Sequence, residues 1–482
     1  MSDHLRKTKL GVFWSFANQG GNQIFSLLVT FILARLISPE EFGTIGMITV
    51  FTGFAAIFVN FGFSQALIQK KDVSSKDINT VFVFNLTSGL ILTLLFFLIA
   101  PFISDFYDKP ILEKLTKALS PIFLISSISG VNRALNSKEM NFKLSTIISI
   151  ISLVLSSSLT IIMAYYGYGV WSILVKMLSS QAIVTILYLI YKPVKQRLLF
   201  NKQSFNSMFR MGSNVAGDSM INYWSRNADN LLIAKMLGDS SLGIYSKSYS
   251  IMLLPLTNIS RVISRVMFPS FSIIQNDIKK LRSIYLKTTK LIAFVTFPMM
   301  IGLMLVAEPF VLVAFGKDWI AMVPIISILS VLGATQSILS LNGVIYNALG
   351  KAHLAFRVSL VYNIINIIGF YVGIKINGLV GLASLYTALG LIGTIPNFYI
   401  AGRQIGVSVK SMFGNLSGTF LNTLIMAVFI LAVKYIINPF ELSPFFELLI
   451  LVFVGAIVYI ITSLLLKMEE ASLLKNLVKK KK

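Results

Sequence analysis

The chain has 482 residues, of which 55% are hydrophobic and only 13% are charged. A soluble protein carries about a quarter charged residues, so an ordinary soluble domain is excluded. The absence of cysteine excludes disulfides and thiolate metal sites, and two histidines, His4 and His353, are too few for a histidine-rich metal site. Neither a metal nor a cofactor is predicted.

Apolar blocks of about 20 residues alternate with short polar segments, and each block is long enough to cross a bilayer as a helix. The first block lacks a small-residue cleavage site near its end, so it is interpreted as an uncleaved helix. The chain is therefore predicted to be an all-α polytopic membrane protein with about fourteen spans. The predicted spans are 11–36, 42–67, 80–104, 113–135, 144–166, 169–191, 211–237, 242–272, 287–315, 320–346, 355–376, 378–402, 411–437 and 445–466.

Lysine and arginine collect in alternate loops, and they give the chain its net charge of +23. Cytoplasmic loops of membrane proteins concentrate these residues, which explains the charge more simply than nucleic-acid binding does. Both ends of the chain belong to the basic set, so both termini are predicted to lie on the cytoplasmic side of the cell membrane. The basic tail, 467–482, is expected either to lie on the anionic inner leaflet or to be solvated and disordered.

One motif occurs twice in the chain. Residues 34–46, ARLISPEEFGTIG, match 234–246, AKMLGDSSLGIYS, and two shorter matches pair 99–104 with 307–312 and 134–143 with 348–357. Three matches in the same order favour a duplication over chance similarity, and two related halves are typical of alternating-access transporters. The predicted domains are a six-helix bundle at 1–200, a second six-helix bundle of the same orientation at 201–408, two additional helices at 409–466, and the tail at 467–482.

The seventh predicted span carries five polar residues at steps of four, four, four and three, which places them on one helical stripe. Charges inside a span are costly, and they usually mark a pathway or an ion pair. Arg226 and Asp229 could pair at i,i+3 in a structural role, or the arginine could line an aqueous cavity. The five residues are Asn214, Asp218, Asn222, Arg226 and Asp229.

The eighth predicted span adds two arginines on one face. Arg261 lies deeper in the span, whereas Arg265 is close enough to the cytoplasmic end to reach the interface. Pro255 lies upstream of both and predicts a kink. Glu308, at the outer end of the ninth span, is either an ion-coupling acid or an interfacial residue.

Two further stripes are uncharged. The first span has a face of amides and hydroxyls that includes Asn18, Gln19 and Asn22, and it is expected to face the cavity or to make interhelical hydrogen bonds. The fifth span has serines and threonine from Ser145 to Thr160, which are interpreted as close helix packing.

The sequence lacks the common catalytic motifs. It has no GxxxxGK[S/T] phosphate-binding loop, no His/Glu metal motif, no Ser/His/Asp arrangement and no outer loop long enough for an active site. A transporter is therefore predicted, not an enzyme such as a glycan polymerase or ligase, and a scaffold would not explain the polar stripes. Arginine forks match phosphate oxygens and amides match sugar hydroxyls, so the expected cargo is an anionic polar headgroup.

Several segments carry a family resemblance that spans essentially the whole chain. They are LARLISPEEFG at 33–43, YWSRNADNLLIAKMLGDSSLGIYSKSY at 223–249 and LPLTNISRVISRVMFPSF at 254–271. These segments resemble the polysaccharide-exporter branch of the multidrug/oligosaccharidyl-lipid/polysaccharide flippase superfamily, and most of all its colanic-acid and teichuronic-acid exporter subgroup. The resemblance implies two six-helix bundles around a V-shaped cavity, with two extra helices.

The resemblance also implies the cargo, which is an undecaprenyl-diphosphate-linked oligosaccharide flipped to the outer leaflet for surface polysaccharide export. In lipid-linked precursor flippases of this superfamily, cavity arginines hold the diphosphate. By position, that role falls on Arg226, with Arg261 as a second candidate. A polysaccharide polymerase is an expected partner. The alternative is a multidrug or cation exporter of the same superfamily, for which an acidic cavity would be expected.

The predicted site combines these residues. Those expected to bind substrate are Arg226, Arg261, Asp229, Asp218, Asn222, Asn18, Asn22, Gln19 and Arg35. Those expected to carry a coupling H⁺ or Na⁺, if there is one, are Asp218, Asp229 and Glu308.

Overall fold

The computed structural model describes residues 21–471, and within that range the regular structure is entirely helical. Asn18, Gln19 and most of the basic tail lie outside the described residues. The chain forms two compact units, Met1–Gly243 and Ile244–Lys482, here called unit 1 and unit 2. The division falls after the repeat boundary predicted at residue 200, and the predicted domain boundaries stay a prediction.

Unit 1 begins, in its described part, with a 14-residue apolar helix and continues through nine more helices, the last of which runs on into unit 2. These helices are α1 (Gly21–Ala34), α2 (Pro39–Asn60), α3 (Phe63–Gln69), α4 (Ser75–Tyr107), α5 (Ile111–Leu119), α6 (Ile122–Ile128), α7 (Gly130–Lys138), α8 (Phe142–Tyr165), α9 (Val170–Tyr191) and α10 (Lys202–Pro255).

Unit 2 contains the end of α10 and seven further helices, together with short π and 3₁₀ segments. These helices are α11 (Arg261–Ile273), α12 (Ile278–Leu305), α13 (Ala307–Ala314), α14 (Met322–Ala348), α15 (Ala352–Ile405), α16 (Val409–Ile437) and α17 (Pro444–Leu465).

The predicted number of spans is confirmed. Within residues 21–471, ten helices are long and apolar enough to cross a membrane, and the bent pair Ile111–Ile128 and Gly130–Lys138 adds one span. Two of the ten contain a break, at Gly238 and at Asn377–Gly378, and each of them therefore supplies two spans. With the shorter helix Gly21–Ala34, the total is fourteen, so this is a multi-pass membrane protein.

Local sequence explains where these helices begin and bend. At α2, the Ser38 hydroxyl accepts from the Glu41 amide while the Glu41 carboxylate accepts from the Ser38 amide, and Pro39 occupies the first turn. Gly238 has φ +84°, a left-handed conformation that costs glycine little, so it can interrupt α10 without strain. Pro255 lacks an amide donor, and the π-helical turn Leu256–Ser260 follows it directly. The predicted kink therefore takes the form of a widened turn.

Candidate functional site

The polar stripe of the seventh span lies on the first part of α10, in unit 1. Asn214, Asp218, Asn222 and Arg226 are exposed, and only Asp229, at 5% exposure, is buried. The Asn222 side chain donates to the Asp218 carbonyl at 2.8 Å, and one Asp229 carboxylate oxygen accepts from the next backbone amide at 2.8 Å. Arg226 forms no ion pair with any described residue of unit 1, Asp229 included. Among these residues, the i,i+3 pair that the spacing allows is therefore absent.

Aromatic residues on another face of α10 fix this stripe in place. The Tyr223 hydroxyl donates to the Val50 carbonyl on α2 at 2.7 Å. The rings of Tyr223 and Trp224 pack against Phe54, with centroids 5.9 and 5.3 Å away. These contacts attach α10 to α2 in the turn next to Arg226. The arginine therefore lies on a part of α10 that packing against α2 holds in place.

Unit 1 also contains a polar chamber of about 750 Å³ between α1, α7, α8 and α9. The Asn22 side chain donates to the Ser149 hydroxyl at 2.8 Å and so joins α1 to α8. Ser152 and Ser180 join α8 to α9 through hydroxyls 2.9 Å apart. We call this space the polar chamber; its polar lining residues are Asn22, Gln23, Ser26, Arg133, Ser145, Ser149, Ser152, Ser180 and Tyr188.

The polar chamber changes the interpretation of two sequence features. The serines of α8 were predicted to serve packing, and Ser152 does so, but Ser145 and Ser149 also line open space. Arg133 was not among the predicted site residues. It lies on α7 within the predicted span 113–135 and donates to the Ser126 carbonyl at 2.7 Å. The one signal that could have identified Arg133 was its charge inside a span.

The remaining predicted site residues lie elsewhere. Arg35 follows the end of α1 with an exposed side chain, and Arg261 is exposed at the first turn of α11, directly after the π-helical turn. Glu308 on α13 faces Lys434 on α16, with the charged atoms 3.9 Å apart. Within residues 21–471 no group of three or more histidine or carboxylate side chains could hold a metal ion.

The two copies of the repeated motif touch each other within unit 1. A Cβ on Gly43 would overlap the Asp239 carbonyl oxygen, and a Cβ on Gly243 would overlap the Pro39 carbonyl oxygen. Because Gly43 matches Gly243 and Pro39 matches Asp239, the contact is reciprocal, as at an interface around a two-fold axis. This reciprocity, here called the motif contact, supports the predicted repeat.

Charged side chains surround the motif contact. Lys109 donates to Glu40 at 3.0 Å and forms an ion pair with Asp239, which also accepts from the Thr44 hydroxyl at 3.1 Å. Burial by itself lowers the pKa of Lys109, but the hydrogen bonds and charges of Asp239 and Glu40 outweigh it and raise that pKa above its ordinary value. Lys109 therefore stays charged and neutralises both carboxylates.

Unit 2 carries an apolar groove of about 650 Å³ between α12, α16 and α17. Gly302 and Pro298 of α12 form one side, and Leu448, Val452 and Tyr459 of α17 belong to the other. We call it the apolar groove. None of its lining residues within 21–471 is charged, so its surface is hydrophobic.

Comparisons with known proteins identify what the chain is similar to. Residues 32–324 match the family described as polysaccharide biosynthesis protein. The teichuronic acid biosynthesis protein TuaB of Bacillus subtilis (strain 168) is 27% identical over 456 residues, which cover 93% of this chain and 94% of TuaB. The lipopolysaccharide biosynthesis protein WzxC of Escherichia coli (strain K12) is 27% identical over 379 residues, which cover 78% of this chain and 76% of WzxC.

Among solved structures, the lipid II flippase MurJ in an inward closed conformation has a TM-score of 0.77 at 17% identity, covering 94% of this chain and 98% of that one. At this identity the likeness concerns the fold alone. It agrees with the all-helical, multi-pass architecture that the sequence predicts.

Proposed function

Because the chain belongs to the polysaccharide biosynthesis protein family, we propose that it is a flippase for undecaprenyl-diphosphate-linked oligosaccharides. It moves them across the cytoplasmic membrane by alternating access, with both of its own termini inside. The observation that carries this proposal is the α10 stripe, where Arg226 is exposed on a membrane-spanning helix and has no ion-pair partner among the described residues of unit 1. A guanidinium there matches a diphosphate.

Each part of the cargo has a matching surface in this proposal. The diphosphate binds Arg226, and Arg261 is a second candidate for the same role. Asp218 and Asn222 lie on the same stripe, and the amides of the first span face the glycan. The prenyl chain follows the apolar groove of unit 2. The cargo is then passed to a polymerase outside the membrane.

Coupling to an ion is part of the same hypothesis. Asp229 is buried within the span and is the best placed of the proposed carriers. Asp218 is exposed on the same stripe. Glu308 already faces Lys434. Its first role in this hypothesis is therefore an ion pair, and binding of a proton or Na⁺ is its second.

The relatives favour this cargo over the drugs of a multidrug exporter. TuaB is named for teichuronic acid biosynthesis and WzxC for lipopolysaccharide biosynthesis. The polar chamber carries an arginine and none of its described lining residues is acidic, whereas a cation exporter would need carboxylates. A drug-susceptibility panel on the deletion strain should therefore match the parent.

The test compares lipid extracts of a deletion strain that carries the wild-type gene, Arg226→Ala, Arg226→Lys or Arg197→Ala. We expect mass spectrometry to find an accumulated undecaprenyl-diphosphate oligosaccharide with Arg226→Ala, a smaller amount with Arg226→Lys, and none with Arg197→Ala, which removes an exposed arginine that precedes α10. Membrane levels are checked by immunoblot. Normal flipping by Arg226→Ala would exclude the diphosphate role, and an unchanged lipid pool in the deletion strain would exclude the flippase.

A further inference from the structure

We propose that unit 2 holds one anionic phospholipid of the inner leaflet as a resident lipid, in a groove between the two halves of α15. This lipid is distinct from the cargo of the proposed function, because it stays on the protein and is not moved. Its binding depends on α15 alone, so the resident lipid and the flippase can each be tested without the other.

The groove is a product of the way α15 packs. The break in α15 divides it into two halves that fold back on each other. Close to the break, a Cβ on Gly381 would overlap the Gly373 carbonyl oxygen. At the far end, the Lys351 ammonium donates to the Gln404 side-chain oxygen at 2.7 Å. The two halves are therefore held together at both ends as a helical hairpin.

A space of about 510 Å³ lies along the middle of this hairpin, and we call it the hairpin groove. A Cβ on Gly393 would lie 1.3 Å from the Tyr362 hydroxyl, so the tyrosine lies against the opposite half only because residue 393 has no side chain. Val361, Ile365 and Ile392 line the groove and are exposed. The described part of unit 2 thus leaves a hydrophobic groove uncovered.

One end of the hairpin groove is cationic. Arg357 belongs to the lining, is exposed in the second turn of α15, and forms no ion pair with any described residue of unit 2. Arg403 is also exposed, and it lies three residues beyond the lining residue Ile400, on the same helical face. The sequence has no acidic residue between Asp318 and Glu441. Neither half of α15 can neutralise these arginines, whereas an anionic headgroup can.

The length of the hairpin groove matches one leaflet of the membrane. Its lining runs from Leu354 to Ile365 on the first half of α15, which is about 16 Å at the helical rise per residue. One leaflet supplies half of a hydrocarbon core of roughly 30 Å. With both termini inside, as proposed above, the end with Arg357 faces the cytoplasm, where anionic lipids attract basic groups. A phospholipid acyl chain fits this length, whereas an undecaprenyl chain is much longer than one leaflet.

The experiment measures lipid binding to the full-length, delipidated protein in detergent by native mass spectrometry. Its probes are phosphatidylglycerol, phosphatidylcholine and undecaprenyl phosphate. We expect one phosphatidylglycerol to bind about fivefold more tightly than phosphatidylcholine, the effect of one cation on an anionic headgroup. Arg357→Gln should remove this preference, and Arg357→Lys should keep part of it. Lys375→Gln removes an exposed cation at the other end of the same half and should leave the preference intact.

A second pair of variants tests the position of the acyl chain and guards against misfolding of Arg357→Gln. Val361→Trp fills the hairpin groove and should weaken the binding of both phospholipids several-fold. Ile364→Trp places the same ring at an exposed position outside the lining, and it should bind both phospholipids as the wild-type protein does.

Three results would overturn the inference. They are equal binding of the two phospholipids by the wild-type protein, a preference that survives Arg357→Gln, and phospholipid binding that Val361→Trp does not weaken. Displacement of phosphatidylglycerol by undecaprenyl phosphate would assign the hairpin groove to the cargo, and it would also overturn the resident lipid. None of these results bears on the flippase, which the lipid extracts of the deletion strain test separately.

Discussion

The polar chamber of unit 1 and the apolar groove of unit 2 are spaces of similar size with opposite chemistry. Serine hydroxyls and Arg133 line the first, whereas apolar side chains and glycine line nearly all of the second. The chamber includes the short helix α7, whereas the groove lies between the three long helices α12, α16 and α17. The comparison shows that a few positions on the facing sides decide whether such a space is polar or apolar.

Helix spacing produces each surface. On α8, Ser145, Ser149 and Ser152 recur at steps of four and three and so occupy one side of the helix. On the groove side, Gly302 of α12 has open space where a Cβ would be, and Gly455 of α17 lies close to Ile430 of α16. Glycine at position 302 thus leaves space in the apolar groove, while the serine hydroxyls make the lining of the polar chamber hydrophilic.

The largest expected effect comes from filling the polar chamber. Ser149→Phe places a ring where we expect the glycan, and it also removes the hydroxyl that Asn22 contacts. Accumulation of the lipid-linked oligosaccharide, measured by mass spectrometry, should match that of the deletion strain. Ser158→Phe, on an exposed side of the same helix, is the control and should flip normally. Full activity of Ser149→Phe would show that the chamber is not on the path.

Filling the apolar groove should have a smaller effect. Gly302→Phe projects into open space, so the melting temperature of the purified protein should not fall. The prenyl chain should lose part of its surface, and we expect flipping in proteoliposomes to slow several-fold. Gly414→Phe also meets open space but lies outside the groove, and its rate should equal that of wild type. Equal rates for both variants would separate the groove from transport.

A substitution at the motif contact is a reference for the two preceding predictions, because it changes packing alone. Gly243→Ala forces a methyl group onto a backbone carbonyl that no rotamer change can move. Overpacking of this kind costs about 1–3 kcal/mol, so the melting temperature should drop measurably. Gly217→Ala, on the same helix with open space around it, should keep or raise the melting temperature. An unchanged melting temperature for Gly243→Ala would mean that the backbone at the contact moves to accommodate the methyl group.

The smallest expected effect concerns the brace beside Arg226. Tyr223→Phe removes the hydrogen bond to the Val50 carbonyl and keeps the ring against Phe54, so it should cost about 1 kcal/mol of stability. Calorimetric unfolding in detergent measures it. A larger loss of flipping than of stability would indicate that the brace positions the arginine, whereas proportional losses would indicate ordinary packing.

The fold was largely predictable from the sequence, because spans follow from the length of apolar blocks alone. Gly238 and Asn377–Gly378 interrupt long helices between predicted spans, as expected. The polar chamber was not predictable, because a serine stripe has the same sequence pattern whether a neighbouring helix packs against it or leaves a space beside it. The i,i+3 pair failed for a similar reason: Asp229 is buried, and Arg226 on the preceding turn remains exposed.

The reciprocal contact of Gly43 and Gly243 has a consequence for how this chain can change over time. Each glycine is kept small by the backbone of the other copy, 200 positions away. After a duplication, two copies of a segment normally diverge independently. Here neither copy of this motif can drift alone, because a bulkier residue in one is resisted by the main chain of the other. The similarity between the two copies at these positions is therefore favoured by their own packing against each other.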